Sequence, residues 1–164
     1  MMKFVLGMLI VAFTSFCGYV FAKKYRKKKN FFIQMKEFNE RFLSEVAYYK
    51  RPIGDFIAQF SNEGEFSELL ERFFTRLKSD GEEKLSEEDF SDYPFLTKDE
   101  RAFIADYFLM FGRGDSASQK AYFSAQKPVL EQYKTSSVET CKKYGDLYIK
   151  LGFLLGLAIL VLIV

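Results

Sequence analysis

The sequence predicts an all-α protein: a cytoplasmic helical bundle between an N-terminal and a C-terminal transmembrane helix. Three observations lead there. Phe4 to Ala22 is 19 residues without a charge, and Leu151 to Val164 is 14 apolar residues. Between them the apolar residues recur at helical spacing, and no β alternation is sustained. Directly after the first apolar run stand Lys23, Lys24, Arg26, Lys27, Lys28 and Lys29, a basic band of the kind that marks the cytoplasmic side of a membrane. The chain then divides into an N-terminal span (1–22), a basic juxtamembrane segment (23–29), a cytoplasmic helical bundle (30–150) and a C-terminal span (151–164).

At about 1.5 Å per residue the first run reaches roughly 28 Å, close to a hydrocarbon core of about 30 Å. A signal peptide is the rival reading, because Val20-Phe21-Ala22 offers a peptidase small residues. The basic band resists export and favours an uncleaved anchor. A lipoprotein signal at Cys17 fails because bulky Phe16 precedes it. The terminal run reaches only about 21 Å, but Leu147, Tyr148 and Ile149 lengthen it to 18 residues if Lys150 snorkels to the headgroups. It is apolar on every face, unlike the surface helix of a soluble core. Both termini are then expected outside the cytoplasm, with the middle on one side. Gly152 and Gly156 form a Gly-x-x-x-Gly spacing that lets two membrane helices approach closely and would also serve a homo-oligomer; lipid-compatible filler is an equal alternative.

In the middle, Phe31, Met35, Phe38, Phe42, Val46 and Tyr49 step by three or four along one helix face. That helix should run straight on from the first span and stop near Pro52, which disfavours helix in the residue before it. Ile53, Phe56, Ile57 and Phe60 predict a short second helix. Phe66, Leu69, Leu70, Phe73, Phe74 and Leu77 predict a third, ended around Gly81. Asp80 to Asp92 carries seven acids and a single Lys84, the composition of a solvated loop or surface. Thr97-Lys98-Asp99-Glu100 reads as a capping box opening a helix with Phe103, Ile104, Tyr107, Phe108 and Phe111. Gly112-Arg113-Gly114 breaks it, and Asp115 or Ser116 can cap the next. The last helix carries Tyr122, Val129, Tyr133, Cys141, Tyr144 and Tyr148, should kink at Pro128, and can continue into the second span.

Composition narrows the chemistry. Of 24 basic residues seven lie in 1–29, with no acid beside them; the other 17 face all 22 acids, so the middle is acidic. This pattern addresses a lipid surface and not nucleic acid. The absence of histidine excludes Ser-His-Asp and Cys-His catalysis and every His-ligated metal site. Cys17 and Cys141 have no Cys-x-x-Cys partner and are expected to be reduced thiols. Gly112 to Ser116 lacks the Lys-Ser/Thr of a phosphate loop. As an Arg-Gly-Asp tripeptide it is too short to carry meaning. Asp99 and Glu100 are neighbours and so point to different helix faces, and Ser118 with Lys120 is one of several chance Ser–Lys spacings. No catalytic set, cofactor site or metal site emerges, and the chain reads as a non-enzyme.

Three short patterns, taken with the two spans, resemble one family, stage III sporulation protein AB of endospore-forming bacteria. They are Glu45-Val46-Ala47-Tyr48 with Pro52 four residues on, Gly112-x-x-Asp115-x-x-x-Gln119, and Lys150-Leu151-Gly152-Phe153-Leu154-x-Gly156-Leu157. The resemblance covers essentially the whole chain; the acidic stretch and the basic band match nothing in it. It implies a non-enzymatic component of the mother-cell membrane facing the forespore. The bundle would be similar to the inner-membrane platform protein of type II secretion and type IV pilus machines. The implied partners are the ATPase stage III sporulation protein AA and other membrane proteins of the same complex. The motif residues Glu45, Tyr48, Pro52, Gly112, Asp115 and Gln119 are then interaction candidates.

Two other classes stay open, a two-anchor adaptor or membrane-active protein unrelated to sporulation and a membrane-tethered hydrolase. If a partner ATPase docks, the far end of the bundle is the expected place. Lys29 to Pro52 is about 35 Å of helix, and the acids of 80–92, among them Glu82, Glu83, Glu87, Glu88 and Asp89, would steer a basic partner patch.

Overall fold

The computed structural model describes residues 2–48, 56–57, 60, 64–81, 84–111 and 116–163. Among them every regular element is helical. Helix α1 runs unbroken over Met2–Phe42 and passes into a π-type turn, Leu43–Tyr48. Helix α2 is Glu65–Asp80, α3 is Lys98–Leu109 and α4 is Ser116–Thr140. A second π-type turn, Cys141–Gly145, joins α4 to α5, Asp146–Ile163. The chain forms two compact units: one of residues 1–29 with 135–164, the other of 30–134.

The 30–134 unit has a core of phenylalanine. Phe31, Phe38 and Phe42 of α1, Phe66 and Phe73 of α2, Phe108 of α3 and Phe123 of α4 are all essentially without solvent exposure. Most of their rings meet edge-on or tilted, as the ring quadrupole favours: Phe38 lies 5.0 Å from Phe60 and 5.5 Å from Phe111, and Phe42 lies 4.6 Å from Phe123, while Phe38 and Phe42 stack at 6.0 Å. Within this core both polar atoms of the buried Asn39 are hydrogen-bonded. The Tyr107 hydroxyl donates to Asn39 Oδ1 at 2.9 Å, and Asn39 Nδ2 donates to the Phe123 carbonyl at 3.1 Å. This chain of bonds ties α1, α3 and α4 together in a low-dielectric interior, where an unmet polar group is costly. Burial holds the Tyr107 phenol well above its ordinary range.

Local signals act where the sequence placed them. The Thr97 capping box forms, with Thr97 N–H donating to Glu100 Oε2 at 2.8 Å and Glu100 N–H to Thr97 Oγ1 at 3.3 Å. Gly81 ends α2 at φ +67°, a conformation that favours glycine. The short helix expected at 53–60 lies largely outside the described residues; Phe60 N–H donates to the Phe56 carbonyl at 3.0 Å, one helical turn. Pro128 sits inside α4, which continues past it.

The acidic stretch is not a bare solvated loop. Its apolar residues Leu85 and Phe90 are buried, and Asp89 both closes a 3-10 turn at Glu87–Phe90 and accepts from Ser86 N–H at 2.7 Å. Arg76 grips Asp89 through two bonds of 2.7 and 3.0 Å, Arg72 meets Asp92 at 2.8 Å, and Arg101 reaches Glu87 at 3.5 Å. Burial alone would raise the Asp89 carboxyl, but the Arg76 guanidinium and Ser86 outweigh it and hold it below the usual carboxylate range. Glu88 is exposed, while Glu82 and Glu83 lie outside the described residues.

Candidate functional site: paired apolar helices and the motif residues

Two stretches, Gly7–Glu45 and Ala117–Leu162, contain helix long and apolar enough to cross a membrane. Only 17% and 11% of their most apolar portions are buried within the chain, where a soluble core helix would be mostly covered. Phe13, Phe16 and Phe21 on α1, and Phe153, Leu154 and Leu155 on α5, are half or more exposed.

The opposite faces of these helices touch along a seam of small residues. A Cβ on Gly152 would lie 2.6 Å from the Thr14 carbonyl oxygen and 3.2 Å from the Gly18 Cα. One on Gly18 would lie 2.5 Å from the Tyr148 carbonyl oxygen, and one on Gly156 would lie 2.8 Å from the Val11 Cα. Gly7 faces the Leu160 side chain. Because the obstacles at Gly152, Gly18 and Gly156 include backbone, no rotamer change relieves them, and only glycine permits the approach. Thr14 also behaves as a small residue: its hydroxyl is spent on the Ile10 and Val11 carbonyls, at 3.0 and 3.1 Å. The contact order, with α1 numbers rising as α5 numbers fall, makes the pair antiparallel.

Tyrosines continue the seam beyond Gly18. Tyr25 stacks on Tyr144 at 5.7 Å and on Tyr148 at 5.9 Å, and Phe21 lies 5.9 Å from Tyr148. This register sets Lys142 and Lys143 beside the basic band of α1, although 113 or more positions separate them in sequence from Lys29. Lys24 and Lys143 hold their ammonium groups over Tyr25 and Tyr144, at 5.0 and 5.4 Å from the ring centres, and the Arg26 guanidinium lies 5.5 Å from the Tyr19 ring. Lys150 is exposed and lies between Tyr148 and Gly152, level with Gly18. Side chains on a helix lean toward its N-terminus, which carries the Lys150 ammonium toward the tyrosine level.

The interaction candidates sit elsewhere. Glu45 lies in the first π-type turn and pairs with Arg41 at 3.8 Å. Gln119 donates from Nε2 to the Met110 and Phe111 carbonyls, both at 3.4 Å, and so serves the open C-terminal end of α3. Pro52, Gly112, Asp115 and the Tyr48 side chain lie outside the described residues. Cys17 and Cys141 are free thiols, each partly buried. Among the described residues no group of three His, Cys, Asp or Glu is placed to hold a metal ion. Sequence reasoning missed Gly7, Thr14 and Gly18 on the first helix, and Lys142 and Lys143 on the second. The small-residue spacing was visible at 7, 14 and 18, but nothing in a sequence says which helix such a face meets.

No curated protein and no solved structure matches the chain. Residues 3–164 do match one family, described as Stage III sporulation protein AB. That match takes in both apolar helices and everything between them, so the chain belongs to the Stage III sporulation protein AB family and is a sporulation protein.

Proposed function

We propose that this chain is a non-enzymatic platform component of a sporulation membrane complex, anchored by both apolar helices and coupling a cytoplasmic ATPase to the membrane assembly. The observation that carries the reading is the antiparallel helix pair: a glycine seam inside and large apolar side chains outside, a division that suits lipid and not water. The basic residues at the tyrosine end support a cytoplasmic placement of that end and of the 30–134 unit, leaving both termini outside. The membrane is the mother-cell membrane facing the forespore. The family's description names a stage of sporulation and not a reaction, which supports a role in assembly.

The partner ATPase, of the stage III sporulation protein AA type, docks on the 30–134 unit. None of the exposed large apolar side chains among the described residues belongs to this unit, so its described surface offers polar contacts. Arg76, Arg72 and Arg101 engage Asp89, Asp92 and Glu87; Glu82, Glu83 and Glu88 are the acids to test. Co-purification from sporulating cells should bring a ring ATPase with the full chain. Replacing Glu82, Glu83 and Glu88 with Lys should weaken that association most at low salt. Recovery of the chain with no ATPase under any salt condition would sink the platform reading. An ATPase that binds wild type and triple variant alike would move the docking surface away from these acids.

A further inference from the structure

Resting on the membrane reading above, we infer that the tyrosine end of the helix pair is a composite binding site for the phosphate headgroup of an anionic phospholipid, built from both helices and not from the α1 basic band alone. Four observations converge on it. Lys24 and Arg26 come from α1 and Lys142 and Lys143 from the second π-type turn, and all four are exposed. The Tyr25–Tyr144 and Tyr25–Tyr148 stacks hold the two segments against each other at this level. Lys24 and Lys143 lie over the stacked Tyr25 and Tyr144, so their charges stand on one aromatic surface, and Arg26 lies over Tyr19, also of α1. Finally, side chains of α1 lean toward its N-terminus, which points Lys24 and Arg26 from the basic band toward the apolar seam, where a headgroup lies.

Lys24 of α1 and Lys143 of the π-type turn, each over a ring of the Tyr25–Tyr144 stack, would clamp a phosphate whose acyl chains run down the exposed apolar faces of the pair. A free phosphate would meet the same cations but would lack this second attachment. The occupant is therefore a lipid. Two exposed carboxylates lie within one turn of these lysines, Asp146 three residues after Lys143 and Glu139 three before Lys142; the four cations outnumber them.

The chain has no tryptophan, so Tyr148→Trp gives a single reporter at the site. The full chain would be placed in nanodiscs of zwitterionic lipid containing a minor fraction of anionic lipid, with brominated acyl chains on one or the other. Brominated anionic lipid should quench the reporter well beyond its mole fraction, brominated zwitterionic lipid should not, and soluble glycerophosphate should fail to relieve the effect. Each of Lys24→Ser, Lys142→Ser and Lys143→Ser should reduce the preference by about fivefold at low salt, while Lys142→Arg with Lys143→Arg retains it and shows that the pair still folds. Quenching in proportion to mole fraction for both lipids would overturn the site while leaving the membrane reading standing. A preference untouched by Lys142→Ser and Lys143→Ser would assign it to α1 alone and overturn the composite. Relief by glycerophosphate would make the ligand a free phosphate. No quenching by either lipid would overturn the membrane reading and the site together.

Discussion

Phenylalanine stands on opposite sides of the two units. In the 30–134 unit Phe31, Phe38, Phe42, Phe66 and Phe123 are buried against one another, while in the helix pair Phe13, Phe16 and Phe153 face outward and glycine fills the contact. Water explains the first arrangement, because burying a large ring removes apolar surface from solvent. It cannot explain the second. Where lipid surrounds a helix, burying a Phe gains little over leaving it exposed, and close backbone approach through small residues becomes the better source of contact. The position of Phe relative to Gly therefore reports which solvent each unit is built for.

Breaking the two cores by their own rules gives the largest effects. Phe38→Ala should destabilise the 30–134 unit by about 3–5 kcal/mol, whereas Phe16→Ala, on the outer face, should change unfolding of the chain in micelles by about 0.5 kcal/mol or less. Equal losses would mean that the outer face is a protein core after all. Next, Gly152→Leu should cost about 1–3 kcal/mol by overpacking the seam. Detergent titration followed by the near-ultraviolet circular dichroism of the tyrosine stack would read it; Leu154→Ala, at a more exposed position of α5, serves as the control.

Smaller effects sharpen the contrast within the soluble-type unit. Tyr107→Phe removes the donor to Asn39 and leaves its carbonyl oxygen buried, so denaturant unfolding should show a loss of roughly 1–3 kcal/mol. The smallest effect is a pH dependence. Asp89 titrates below its ordinary value in the folded chain, so its contribution is present above about pH 4 and is lost as pH falls through the folded value. Hydrogen-exchange protection factors over 84–92, with the intrinsic pH dependence of exchange divided out, should fall in that acidic range, and Asp89→Asn should lower them already at neutral pH.

How far the sequence could be read follows the same division. Helix faces at 31–42, 66–77 and 103–111 were legible because water imposes a period on a half-buried helix, and the Thr97 box because its partners are three residues apart. The fate of the acidic stretch was not, since Arg72, Arg76 and Arg101 approach from other helices and local composition reports only charge. Gly152 and Gly156 were noticed as a spacing, but their partners Val11, Thr14 and Gly18 lie at the other end of the chain. The two π-type turns left no signal, as a single inserted residue does not disturb the hydrophobic pattern enough to be seen. Gln119 was singled out through a family motif, while its work on the end of α3 depends on a fold that motif does not describe.

The central claim is that a helix pair anchors this chain with its middle in the cytoplasm, and cysteine accessibility tests it most directly. Native Cys141 is partly buried and a poor reporter, so Cys17 and Cys141 would be replaced by Ala and single cysteines introduced as Ser124→Cys, at an exposed position of α4, and Lys3→Cys. A membrane-impermeant maleimide should label Lys3→Cys in intact cells and spare Ser124→Cys, and inverted vesicles should reverse the two. Labelling of Ser124→Cys in intact cells would place the 30–134 unit outside and contradict the account.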